Sequence, residues 1–350
     1  MSHTSKVWDI YFIMDSLTHI VLGACIGEVV AGKKLGKKAM LIGAIANSLP
    51  DIDILASPFL DHATDLLFHR GITHSFLFLV LVSPLLAWGS GKVFKKAEIT
   101  FRNWWFFWAL EMFVHLLIDS FTAYGTGWLE PFSQARVSFN AVFVLDPLYT
   151  ICTLVAFVVL LFLKKENARR IKWAWFGIIP CAVYIVCCFV NKELIESKVQ
   201  AAFASNHITP KKYFTTPTPI NNLLWYVVAA TDSGFYVGYR SVLDKTDNIA
   251  FRRVNQNDTL LAQATDKESL QKLVRFSKGY YCADLQGDSL YFSDMRFGEI
   301  GAWGGGTPHF VFSYCLQHPG ANDNVLQRRR MAMMDKKALT AFWHRIMGEQ

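Results

Sequence analysis

The stretch from Asp51 to Ser75 constrains this chain more than any other. It packs Asp51, Asp53, Asp61, His62, Asp65, His69 and His74 into a short run between long apolar segments. Carboxylates and imidazoles placed among apolar helices are costly to bury unless they are paired or hold something. A metal ion is the most economical occupant, because His nitrogen and carboxylate oxygen are ordinary ligands for zinc and its neighbours. Taken alone, Asp51-x-Asp53 or His69-x4-His74 reads equally well as a helix cap or a solvated turn. The cluster gains weight because further His and Asp residues recur at comparable depth in other segments.

The segments around it set the class. Of the 350 residues 52% are hydrophobic, with 28 Phe and 11 Trp. Several runs approach the ~20 apolar residues that cross a bilayer, so an integral membrane protein is expected. The net charge of +7 could suggest nucleic acid. The basic residues instead sit in short loops between apolar runs, which is the positive-inside pattern, and no nucleic-acid partner is expected. The first apolar run carries His19 and Glu28, unlike the core of a cleavable signal peptide.

In chain order, residues 1–13 read as a poorly structured leader, with Met14 a possible true start. Six membrane segments follow within 14–190: 17–32, 39–49, 75–88, 103–121, 141–163 and 173–190. Lys and Arg cluster in loops 33–38, 92–102 and 164–172, whereas loops 50–74 and 122–140 carry only Arg70 and Arg136 as basic residues. The basic loops therefore face the cytoplasm. The other loops, and everything after Val190, face outward. From about 195 to 350 the pattern turns polar and alternating. Residues 225–239 and 280–292 read as hairpins about Gly turns, 268–276 and 337–347 as helices, and 215–219 as an extended lead-in. The expected fold is an α-helical polytopic membrane domain followed by a small α+β extracytoplasmic domain.

That topology rests on Lys and Arg alone. It nevertheless brings His19, Asp51, Asp53, His69, His74, His115, Asp119 and Asp146 to one membrane face. His115 and Asp119 are spaced i, i+4 and share a helix face, with Glu111 one turn deeper. Ionisable groups inside a membrane segment are functional candidates by default; the competing reading is a buried polar network that holds helices together. Asp146, before Pro147, also reads as an N-cap. Glu111 reads as a supporting residue, and Asp61, His62 and Asp65 as solvated loop. His207, His309, His318 and His344 show no partner pattern. Gly304-Gly-Gly306 lacks the following Lys-Ser/Thr of a phosphate-cradling loop.

The runs Met14-Asp-Ser-Leu-Thr-His19, Pro50-Asp-Ile-Asp53, His69-Arg-Gly-Ile-Thr-His74-Ser and His115-Leu-Leu-Ile-Asp119 resemble the YdjM-like family of inner-membrane metal-dependent hydrolases. The resemblance covers about residues 14–190, and residues 219–239 resemble an outer domain that some members carry. His-Arg-Gly-x-Thr-His-Ser is its most specific element. It implies a bacterial inner-membrane protein holding a divalent metal, with a hydrolase activity. In outline the chain is also similar to zinc-dependent phospholipase C and nuclease enzymes, which bind clustered metals on helical scaffolds.

The expected ligands are His19, Asp51, Asp53, His69, His74, His115 and Asp119, holding one or two ions, most naturally Zn. Such ions activate water near neutral pH, and a pair suits phosphoester displacement. Asp53 is the candidate general base and Arg70 the candidate phosphate holder. A site at a membrane face favours a lipid-linked or other phosphoester substrate. The alternative is a non-enzymatic membrane protein with a structural metal site, or one that moves an ion. Transport would need polar residues continuing to the other face, where only Glu28 and Glu111 lie deeper. Cys25, Cys152, Cys181, Cys187 and Cys188 fall in apolar segments and need no function. Cys282 and Cys315 fall in two outer-domain strands and would form a disulfide if their Cα atoms come within about 7 Å.

Overall fold

A computed structural model describes residues 6–144, 146–303, 307–317, 326–328 and 336–349. Helix α1 (Lys6–Leu35) is followed by α2 (Lys37–Ser48), a 3-10 segment (Pro50–Phe59) and the short α3 (His62–Phe68). A 3-10 turn (Ile72–His74) leads into α4 (Phe76–Val93), then α5 (Phe101–Ser120), α6 (Pro147–Phe162) and α7 (Arg169–Ser205). Among the described residues, three helices are long and apolar enough to cross a membrane: 16–35 of α1, α4 and α7. α2 and the 3-10 segment, bent by 54° at Leu49, make a fourth if taken together. α5 carries Arg102, Glu111 and Asp119, and α6 has only 16 residues. Residues 6–13 of the expected leader are helical as the start of α1, since no Gly or Pro interrupts the chain between Lys6 and Leu22; residues 1–5 lie outside the described residues.

The chain divides into two compact units, 1–55 with 68–188, and 56–67 with 189–350. In the first, α1 and α2 run antiparallel about a tight turn at Gly36, whose φ of 61° suits glycine. The two backbones nearly touch. A Cβ on Gly23 would strike Gly43, and one on Gly27 would strike the Ala39 carbonyl. Small residues on facing helix stripes permit such contact. One turn beyond the Gly23–Gly43 contact the same register sets His19 opposite Asn47. Gly43 also leaves room for the Glu111 carboxylate. At the far end of this unit Glu28 and Arg170 form a buried bidentate pair, at 2.8 and 2.6 Å. Arg170 completes its fork on the carbonyls of Leu160 and Leu163.

Among its described residues the second unit holds two four-stranded antiparallel sheets. The first is β1 (Lys212–Pro217), β2 (Leu224–Thr231), β3 (Gly234–Ser241) and β4 (Arg252–Val254), in chain order across the sheet. After α8 (Asp258–Leu261) and α9 (Lys267–Phe276) comes the second: β5 (Tyr281–Gln286), β6 (Ser289–Ile300), β7 (His309–Gln317) and β8 (Leu326–Arg328). Helix α10 (Lys336–Ile346) closes the chain. β2 is apolar on both faces. Trp225, Val227 and Ala229 pack on Ile195, Val199, Ala202 and Phe203 of α7. Tyr226, Val228 and Ala230 pack toward Tyr280, Cys282 and Met295 of the second sheet region.

Both hairpins expected from the sequence are present as β2–β3 and β5–β6, and both expected helices as α9 and α10. The lead-in at 215–219 is mostly strand β1. Helix α7 runs on to Ser205, past the expected break near Val190, because no Gly or Pro stops it between Pro180 and Pro210. The proposed disulfide is corrected. β6 lies between β5 and β7 in the sheet, so Cys282 and Cys315 stand two strand spacings apart. At about 4.8 Å per spacing that exceeds the reach of a disulfide, and no bond joins them. His318 and Gly304-Gly-Gly306 lie outside the described residues.

Candidate metal centre

The motif residues arrive from five places in the first unit. His19 comes from α1. Asp51 and Asp53 come from the 3-10 segment that begins at Pro50, where α2 has ended. His69 and Arg70 follow α3, and His74 closes the turn before α4, which Ser75 caps by accepting from the Phe78 amide. His115 and Asp119 occupy one face of the last turns of α5. Between Asp53 and His69 the chain leaves for the second unit. There Asp61 caps α3 through Thr64, and Lys272 donates to the Thr64 hydroxyl at 2.8 Å. His62 is exposed.

All seven expected ligands converge. His74 Nε2 lies 3.0 Å from His115 Nε2. Asp119 Oδ2 lies 3.2 Å from the first and 3.3 Å from the second. Asp51 Oδ1 lies 3.4 and 3.5 Å from the same two nitrogens. Asp51, His74, His115 and Asp119 form one group able to hold a metal ion. Asp51, Asp53 and His69 form a second, so Asp51 belongs to both. His69 Nδ1 sits 3.2 Å from Asp53 Oδ1. Of the four carboxylate and imidazole groups in the first set, only Asp51 reaches the surface, with 12% of its side chain exposed.

A supporting layer holds these groups in place. His19 Nε2 faces Asp119 Oδ1 at 3.1 Å, and its Nδ1 faces Asn47 Oδ1 at 3.1 Å. The Asn47 amide in turn donates to the Glu111 carbonyl and carboxylate. His19 therefore stands behind Asp119, outside both candidate ligand groups. Asp53 Oδ2 accepts from the Arg70 amide and the Thr73 hydroxyl, and it lies 3.4 Å from His74 Nδ1. The carboxylates of Asp51, Asp53 and Asp119 all face the His74 ring, at 3.2 to 3.4 Å, so the pocket gathers negative charge around this point.

Arg70, expected to face a phosphate, is buried and engaged. Its Nε lies 3.1 Å from Asp119 Oδ2, its Nη1 donates to Thr122 Oγ1 at 2.9 Å, and its guanidinium lies over the Tyr124 ring. Its φ of 58° is left-handed, which turns the chain so that the amide reaches Asp53. Asp146 caps α6, accepts from the Leu148 amide and the Tyr184 hydroxyl, and joins neither ligand group. Asn47, Thr73, Thr122 and Arg136 were not legible as site residues. Asn47 left one signal, a lone amide in the apolar run that closes α2. Arg136 donates to the His69 carbonyl.

The residues fit a divalent ion. Ligand atoms about 2.0–2.1 Å from a tetrahedral zinc are separated by about 3.3 Å, and the five distances above run from 3.0 to 3.5 Å. Asp119 Oδ2, fully buried, has no hydrogen bond although Arg70, His74 and His115 converge on it, as an ion's ligand would stand.

Residues 14–195, more than half of the chain, match the model of the YdjM inner membrane protein family. The uncharacterized protein YfhP of Bacillus subtilis is 26% identical over 82% of this chain and 88% of its own length. Inner membrane protein YbcI of Escherichia coli is 34% identical over 34% of this chain and 69% of its own length. No solved structure matches.

Proposed function

Because the chain belongs to the YdjM inner membrane protein family, we propose that it is a membrane-bound, metal-dependent hydrolase acting on a phosphoester. The carrying observation is the pair of ligand groups that share Asp51. It supports two ions, and Asp51 would be a ligand available to either. One position takes His74, His115 and Asp119; the other takes Asp53 and His69. Mixed nitrogen and oxygen donors suit zinc. Bound there, the ions supply Lewis acidity and activation of water.

The chain's own residues do the rest. Asp53 orients His69 and His74, as a carboxylate behind a metal-binding imidazole does. Asp53 is thus a ligand and positioning residue rather than a free base, and Arg70 positions Asp119 rather than holding phosphate. His19 and Asn47 fix the other Asp119 oxygen. In the reaction the oxygen of water forms a new bond to phosphorus and the ester P–O bond breaks. The proton released ends on the departing alcohol. The same reading places the chain as a multi-pass protein of the bacterial inner membrane, with the second unit and the metal centre on the periplasmic side.

The test is metal content with activity on bis(p-nitrophenyl) phosphate in detergent. His74→Ala should remove the ion of its own group, halving the metal, and abolish activity. His69→Ala should halve the metal and lower the rate at least about 100-fold, the scale on which removing a group that stabilises the transition state acts. His62→Ala should leave both unchanged. Equal loss from all three variants would overturn the assignment.

A further inference from the structure

The site lies short of the membrane's far edge. The helical rise puts His19 about 21 Å along α1 from Lys33, and His115 about 20 Å along α5 from Arg102. With the basic ends at one interface, a hydrocarbon core of about 30 Å extends several ångströms beyond the ligands. A site at that depth is reached either by a water-filled opening or from the leaflet itself.

The surroundings of its mouth decide between them. Asp51 is the exposed member of the four-ligand group, and its neighbours Ile52 and Leu55 turn outward, Leu55 being 71% exposed. Ile72, two residues before His74, is exposed as well. The loop after α5 is tied to this edge by two backbone bonds, Gly127 amide to Arg70 carbonyl and Phe76 amide to Trp128 carbonyl, both 2.9 Å. Phe76 is the first residue of a membrane-spanning helix. The loop therefore presents Leu129 and Phe132, the latter 83% exposed, at the end of that span. Five exposed apolar side chains around a sunken polar site are unfavourable in water and favourable in acyl chains. Large apolar rings at such a level are typical of residues that sit in the interface.

Resting on the hydrolase reading above, we propose that the substrate is a lipid phosphoester, and that it reaches Asp51 sideways from the leaflet over Ile52, Leu55, Ile72, Leu129 and Phe132. The acyl chains stay in the bilayer and the rim guides the phosphate to the ions.

Two readouts separate this proposal from the hydrolase reading. In the first, a photoreactive benzophenone residue replaces Phe132 in the full chain, reconstituted in vesicles of phosphatidylethanolamine and phosphatidylglycerol. Illumination should yield a phospholipid adduct by intact-protein mass spectrometry, as the same residue at the span position Leu85 does, and as it does not at Asp247. In the second, Leu129→Ser with Phe132→Ser should lower the ratio of phosphatidylglycerol to bis(p-nitrophenyl) phosphate hydrolysis about tenfold, the effect of about 1.4 kcal/mol. An adduct without any hydrolysis keeps the lipid-facing rim and sinks the hydrolase. Hydrolysis without an adduct at Phe132, or with an unchanged ratio, overturns the rim.

Discussion

Arg70 Nε lies 3.1 Å from Asp119 Oδ2, with both side chains buried. The arginine between the two motif histidines thus reaches across to α5 and pins the carboxylate that His74 and His115 share. Groups that orient a ligand usually change metal affinity 10–100-fold when removed. Arg70→Gln should therefore weaken zinc binding by about that factor, as read by competition with a chromophoric chelator. Unchanged affinity with lost phosphate binding would return Arg70 to the substrate.

The Glu28–Arg170 pair lies at the opposite end of the first unit and touches no ligand. Removing one partner leaves a buried charge uncompensated, which costs roughly 3–5 kcal/mol. Glu28→Gln should lower the thermal midpoint of the detergent-solubilised protein while metal content stays at the wild-type level. A loss of metal without a loss of stability would couple this pair to the centre and revive an ion path across the membrane.

The two cysteines of the second unit, Cys282 and Cys315, should remain separate. Under denaturing, non-reducing conditions, both Cys282 and Cys315 should take up a maleimide label in protein from its native membrane. A mass consistent with a bond between them would mean that β5 and β7 are neighbours, against the sheet order found here.

The sequence made the Asp/His cluster legible because charge in an apolar run is rare enough to stand out. His115 and Asp119 on one helical face, and the His69–His74 motif, needed only spacing. The hairpins were legible for a similar reason, since alternation about Gly survives tertiary packing. What stayed hidden depends on partners far away in the chain. Nothing local to His19 says that Asn47 will face it; that follows from Gly23 meeting Gly43, a register set by close packing. Nothing local to Arg70 says that its charge will be spent on Asp119. The cysteine pairing failed because strand order, with β6 in the middle, is not written in the alternation of either strand. The division of the stretch 51–75 between two units was hidden too, because the residues 56–67 that leave the centre look as polar as those that stay.

The central claim is that Asp51, His74, His115 and Asp119 hold a metal ion and that Asp51 shares a second with Asp53 and His69. Elemental analysis of the full chain, purified from membranes without chelator and re-exposed to zinc, tests it most directly. The account predicts two divalent ions per folded chain at saturation, and their loss together in Asp51→Ala. A chain that is folded and stays metal-free when zinc is offered would contradict it.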